Sequence, residues 1–269
     1  MILFPPAKIN LGLHVLAKRQ DGYHEIETIM AEIPLFDILE LNEASDDSFT
    51  QTGIIVPSDG QPNLCERAVA LLRAQATFPA VSIHLRKQIP IGAGLGGGSA
   101  DASYTLKGLN DLFKLGFSNA QLAAYAAQLG SDCPFFIEGG LQLAKGRGEQ
   151  LQNLPAFQQK VQLVLCNPQL HVSTAQAYSG VKPNHLRPSL PDLLRKSGLQ
   201  QLQNDFEESV FEVYPQINQL KRELLDSGAF YAAMSGSGSS VYGLFAAAHP
   251  IVLSEQIERF VIYCGEWSF

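Results

Sequence analysis

Residues 90–102 read Pro90-Ile91-Gly92-Ala93-Gly94-Leu95-Gly96-Gly97-Gly98-Ser99-Ala100-Asp101-Ala102, with five glycines in seven positions. Few arrangements accommodate such a run. Before it, residues 81–85 alternate apolar and polar as a half-buried strand does. After it, Ala102, Leu106, Leu109 and Leu112 recur at helical spacing. A strand that feeds a helix through a loop without side chains brings backbone N–H groups close to an anion. The helix adds its own free N–H groups and the positive end of its dipole. The run therefore reads as a phosphate cradle, with a tightly packed glycine turn as the bland alternative.

Two familiar phosphate motifs fit poorly. Gly92, Gly94 and Gly97 satisfy GxGxxG through glycine density alone. A dinucleotide fingerprint belongs after the first strand of a βαβ unit, with an acidic residue about 20 positions on. Here the loop follows two strands and a helix, and Asp111 comes too early. Gly92, Gly97 and Ser99 fit the frame GxxxxGK[ST], but Gly98 stands where the lysine belongs. A lysine must come from elsewhere in the chain.

The remaining patterns describe an ordered α+β chain. At 269 residues, 46% hydrophobic and 17% charged, it has the opposite of a disordered composition. Its net charge of −7 gives no reason to expect nucleic acid or an anionic membrane as partner. The four cysteines show no CxxC spacing, which fits a reduced, cytoplasmic setting without a zinc site. The start lacks a signal-peptide pattern, and no apolar run approaches the roughly 18 residues of a membrane span. Residues 9–16 alternate as a strand, and 161–165 form a short one. Residues 63–75 read as a helix with Asn63 as N-cap and Glu66 completing a capping box. Ser118 and Gln121 repeat that spacing at the head of a helix over 118–129, stopped by Gly130. Pro215 opens a helix over 215–227 with Ile217, Leu220 and Leu224 on one face. Residues 229–234 and 240–246 read as strands joined by a Gly/Ser turn. The polar stretch 145–153 is the candidate boundary between two domains, 1–150 and 151–269, and 182–191 reads as a loop.

Three separate stretches carry a family resemblance. The glycine run resembles the second motif of the GHMP kinases. Pro6-Ala7-Lys8-Ile9-Asn10-Leu11 resembles their first, and Met234-Ser235-Gly236-Ser237-Gly238-Ser239-Ser240 their third. Three motifs in the right order across nearly the whole chain make a specific match. Asp21-Gly22-Tyr23-His24, residues 129–136 (LGSDCPFF) and Asn204-Asp205-Phe206-Glu207 resemble one branch of that family. Its members phosphorylate a cytidine-diphosphate-linked polyol of non-mevalonate isoprenoid synthesis.

The resemblance implies a two-lobed α+β fold, ribosomal-protein-S5-like in the N-terminal lobe and ferredoxin-like in the C-terminal one, with a cleft between them. It implies ATP as phosphate donor, with Pro90 to Ala100 as the cradle and Asn63 and Lys87 as further nucleotide contacts. Ser58 is a candidate neighbour of the adenine. It assigns Lys8 and Asp132 to catalysis. The residues make this reasonable: Lys8 is a charge in an apolar strand start, and Asp132 follows Gly130 and precedes Pro134, near a helix N-terminus. Each has a plain alternative, a snorkelling lysine and an N-cap. For the polyol, the resemblance implies Asn10, Tyr23, His24, Met30, Thr174, Tyr178, Gly236, Ser237 and Gly238. Tyr23 and Tyr178 would sandwich the cytosine, and Met30 stands where the family often has an aromatic. No metal-ligand spacing is present, so Mg²⁺ is expected mainly on the ATP phosphates, with Ser99 the best protein candidate. Monomer and homodimer both stay open.

Overall fold

The strand and helix periods around the glycine run reappear in the computed structural model, which describes residues 1–56, 60–156, 160–248 and 250–268. In chain order the elements are β1 (Ile2–Leu3), β2 (Pro6–Lys18), β3 (His24–Phe36), β4 (Ile38–Ala44), β5 (Ser48–Gly53), α1 (Leu64–Arg73), β6 (Ala80–Lys87), α2 (Gly97–Leu112), α3 (Asn119–Ala126), α4 (Phe135–Glu138), β7 (Leu141–Gly146) and β8 (Gln150–Asn153). They continue as β9 (Lys160–Cys166), α5 (Thr174–Ser179), α6 (Leu190–Ser197), α7 (Phe206–Val213), α8 (Pro215–Asp226), β10 (Tyr231–Met234), β11 (Val241–Ala246), α9 (Glu255–Glu258) and β12 (Val261–Ser268).

The chain forms two interleaved units. The first comprises Met1–Ala7, Pro34–Ile91 and Gly96–Gly139, and the second Lys8–Ile33, Gly92–Leu95 and Gly140–Phe269. Residues 145–153, read above as a boundary, form a hairpin within the second unit, with Lys145 opposite Gln150 and Gln142 opposite Asn153.

In the first unit the sheet order is β1-β4-β6-β5, with β5 parallel to β6 and β4 antiparallel to it. Alternation along β4 and β6 turns Leu39, Leu41, Val81, Ile83 and Leu85 into the core, where they join Ala68 and Leu72 of α1 and Leu106 and Leu109 of α2. Asn63 caps α1 and Glu66 closes the capping box, as the sequence predicts. Ser118 and Gln121 do the same for α3, which ends at Ala126, short of Gly130. Helix α2 starts at Gly97, inside the glycine run and earlier than its apolar period suggests. The glycine run is thus partly the first turn of a helix.

The second unit holds two sheets, β2-β3-β7-β8 and β10-β11-β9-β12. Its core joins Leu13 and Val15 of β2 to Val164 of β9, Phe206 and Val210 of α7, and Ile217, Leu220 and Leu224 of α8. The apolar face predicted for residues 215–227 is therefore the packed one. The stretch 182–191 is irregular up to Leu190, where α6 begins.

Candidate active site

In the second unit, alternation along β2 turns Lys8 and Asn10 to one side. Both are buried. The Lys8 ammonium donates to Asn10 Oδ1 at 2.7 Å and to the Gly94 carbonyl at 3.1 Å, and its backbone N–H donates to the Leu95 carbonyl at 2.9 Å. Asn10 Nδ2 donates to Thr28 Oγ1 at 2.9 Å, and the Thr28 hydroxyl donates to the Gly12 carbonyl at 2.7 Å. That chain of bonds orients the amide so that its oxygen meets the lysine.

The third motif closes on the same atoms. Ser235 Oγ donates to the Gly94 carbonyl at 2.8 Å, and the Ser240 N–H to the Ala93 carbonyl at 3.2 Å. A Cβ at Gly236 would lie 3.3 Å from Asn10 Oδ1. Gly94 has φ +78°, and a Cβ there would stand 2.0 Å from the Ser235 carbonyl oxygen, so only glycine fits. Residues 8–10, 92–95 and 235–240 are therefore one assembly. Asn204 supports it, donating to the carbonyls of Met234 and Gly236, each at 2.8 Å, while Glu207 accepts from the Met234 N–H at 2.8 Å. The stretch Asn204 to Glu207 thus holds the third motif in place.

In the first unit, the other half of the glycine run starts α2. Gly96 is its N-cap, left-handed at φ +70° and without a side-chain cap. The first-turn N–H groups of a helix have no acceptor within it, so those of α2 are suited to an anion. Lys87, expected on the nucleotide phosphates, is held between two carboxylates. Its ammonium pairs with Asp37 and, at 2.8 Å, with Asp101. All three side chains are at most 3% exposed. Asp37 Oδ1 also accepts from the Gln88 and Ile89 N–H groups, the latter at 2.9 Å. A Cβ at Gly97 would lie 2.8 Å from both Lys87 Nζ and Ile89 Cγ2. The trio therefore ties the end of β6 to the first turns of α2. Burial works against the Lys87 ammonium, but the charges of Asp101 and Asp37 hold it above the ordinary lysine range. Burial, opposed by Lys87 and reinforced by Asp37, pushes Asp101 up to about 7. Neither carboxylate carries a sequence signal, because an aspartate before a strand or inside a helix has many ordinary uses.

Asp132 is half-buried in the turn before α4. That helix spans four residues and is capped by Pro134, so Asp132 is neither its N-cap nor in its first turn. A hydroxyl of α2 helps to set its turn beside the glycine helix. Ser103 Oγ reaches the carbonyls of Ser99 at 2.9 Å and Cys133 at 2.7 Å. A Cβ at Gly130 would lie 3.8 Å from Ser99 Oγ. Asn63 N–H and Oδ1 serve the capping box. Ser58 lies outside the described residues.

The residues assigned to the polyol belong to the second unit. The His24 and Tyr178 rings stack at 4.5 Å and 15°, and Tyr178 meets the edge of Phe206 at 4.7 Å. His24 thus occupies a face of Tyr178, where the sequence suggests a base lying between Tyr23 and Tyr178. Burial, then the charge of Lys18, lowers the His24 pKa, which favours a neutral ring with one acceptor nitrogen. Tyr23 is 56% exposed, with the Arg147 guanidinium 4.8 Å from its ring centroid. Arg147 lies between two glycines in a hairpin turn and gives no sequence signal. Thr174 Oγ1 and Ser237 Oγ are 3.4 Å apart. Met30 is buried opposite Gln142, inside the sheet. Among the described residues no group of three or more His, Cys, Asp or Glu could hold a metal ion.

Residues 63–140 match the GHMP kinases N terminal domain, and residues 183–260 the GHMP kinases C terminal domain. A protein of Azobacteroides pseudotrichonymphae named 4-diphosphocytidyl-2-C-methyl-D-erythritol kinase is 50% identical over 249 residues, 91% of this chain and 93% of that one. The chain belongs to the GHMP kinases. A Cytophaga hutchinsonii protein of the same name is 47% identical, over 91% of this GHMP kinase and 92% of its own length. A crystal structure of 4-(cytidine 5'-diphospho)-2C-methyl-D-erythritol kinase superposes with a TM-score of 0.78 at 36% identity, over 91% of this kinase and 90% of that chain. The Methanococcus jannaschii mevalonate kinase, at 14% identity and a TM-score of 0.66 over 96% of this chain and 92% of its own, shares the fold. The α+β fold implied by the three motifs is thus the fold of the family, and the enzyme is an ATP-dependent small-molecule kinase. No helix among the described residues is long and apolar enough to cross a membrane.

Proposed function

We propose that this kinase transfers the γ-phosphoryl group of ATP to the 2-hydroxyl of 4-diphosphocytidyl-2-C-methyl-D-erythritol, giving the 2-phosphate and ADP. The observation that carries this reading is identity of 36–50% over about nine-tenths of the chain to enzymes bearing that name. The second-unit assembly around Lys8, Asn10 and Gly94 supports it, because it joins all three motifs.

Phosphoryl transfer needs positioning and charge stabilisation more than covalent help. The hydroxyl oxygen attacks the γ-phosphorus, the bond to the β–γ bridging oxygen breaks, and the hydroxyl proton leaves. Asp132 takes that proton, and Lys8 offsets the charge that builds on the transferred group. The glycine run holds the ATP phosphates through backbone N–H groups. Mg²⁺ carried chiefly by those phosphates, with Ser99 as the best protein candidate, would supply the remaining positive charge. Tyr23, His24 and Tyr178 hold the cytosine, and ATP as donor with free cysteines suits the cytoplasm.

The test is ADP release from purified protein offered this alcohol, homoserine, mevalonate and a sugar, with and without Mg²⁺. Turnover dependent on the cytidine-linked alcohol is expected. Turnover with homoserine or a sugar in its place would overturn the substrate assignment.

A further inference from the structure

We propose that Arg147 is a positioning residue for the substrate, acting through Tyr23: its guanidinium covers one face of that ring and so presents the other to the base. The inference rests on the cytidine reading above and specifies how one side of that pocket is built.

The turn that carries Arg147 is fixed in place. Register between β3 and β7 sets Ile26 opposite Gly146, which brings residues 147–149 alongside 23–25. The Gly146 N–H donates to Glu25 Oε1 at 3.1 Å. Glu25 is anchored in turn by Arg19 at 3.0 Å, and Arg19 also pairs with Asp21, whose Oδ1 accepts the Tyr23 N–H at 3.1 Å. Both turns are thus held by one network of charged side chains.

Two of the neighbouring cations have carboxylate partners. Arg19 pairs with Asp21 and Glu25, and Lys145 with Glu27 at 3.3 Å. Among the described residues no carboxylate lies within ion-pair distance of Arg147, although its charge adds to the Arg19 hydrogen bond in lowering the Asp21 pKa, and its guanidinium lies over the Tyr23 ring at 4.8 Å. A tyrosine more than half exposed at a hairpin apex has little else to define its orientation. A cation on one ring face restrains the ring without blocking the opposite face.

Steady-state kinetics of Arg147→Ala test this. KM for the cytidine-linked alcohol should rise about three- to tenfold, with kcat and KM for ATP unchanged. Cytidine alone, used as a competitor, should weaken by the same factor. Arg147→Lys, which keeps a cation able to cover the ring, should stay within about twofold of wild type. In a Tyr23→Leu background, Arg147→Ala should add nothing. The proposal is overturned by an unchanged KM, by an equal further loss in the Tyr23→Leu background, or by weaker binding of cytidine 5'-diphosphate with cytidine unaffected. Wild-type protein inert toward the cytidine-linked alcohol would instead remove the reading on which the proposal rests.

Discussion

Two buried lysines border the glycine run, and their surroundings differ. Lys8 bonds to the run's interior, the Gly94 carbonyl, and to the Asn10 amide oxygen. Lys87 bonds to the two carboxylates that brace the run's exits, Asp37 after β3 and Asp101 in α2. A lysine placed between two carboxylates adds no net positive charge to its neighbourhood. It serves as a fastener, and its removal leaves like charges buried together. A lysine that meets the loop backbone is suited to answering charge on a ligand.

The largest effect should follow from Lys8. Lys8→Met should lower kcat for ADP release by about a thousandfold, and Asp132→Asn by a similar factor. Calorimetry should still show ATP binding to both. Lys8→Met turnover near the wild-type rate would erase the distinction between the lysines. Lys87→Met should act on stability instead, costing about 3 kcal/mol in urea unfolding because two buried carboxylates lose their counter-charge. If it leaves stability intact and abolishes ATP binding, Lys87 is a nucleotide ligand after all. Gly94→Ala should strain a left-handed residue by about 1–2 kcal/mol and push its Cβ into the Ser235 carbonyl. The expected readout is a KM for ATP raised about tenfold, with a smaller loss in melting temperature.

The last effect is a slope. The folded-state pKa of Asp101, about 7, lies above the unfolded value near 3.8. Between those values the folded chain holds more protons, so stability should decline as pH rises from about 4 through about 7. Asp101→Asn should flatten that part of the profile, and an unaltered slope would show that Asp101 titrates alike folded and unfolded.

Much of the scaffold was legible because it rests on local rules. The capping boxes at Asn63 and Ser118 and the apolar face of α8 depend on spacing within one helix. The glycine run was legible because its backbone demands, such as the left-handed Gly94 and Gly96, leave few side-chain choices. Asp37, Asp101, Ser103 and Arg147 were not legible. Each acts on a residue distant in sequence, and a lone Asp, Ser or Arg carries no local mark of such a partner. The stacking of His24 on Tyr178 was not legible for the same reason. His24 reaches it only through the folding of β3 against the rest of its unit.

The interleaving of the units also bears on how the chain is made. Residues 8–33 leave the ribosome well before residue 140, yet β7 and, Ile26 aside, the buried core residues clustered with Leu13 and Val15 lie beyond it. Until those residues are synthesised, an apolar strand pair waits without most of its packing. A fragment truncated near residue 140 would retain that exposure permanently. Nascent chains of this enzyme should therefore engage holding chaperones over this early segment and release them only when β9, α7 and α8 have emerged.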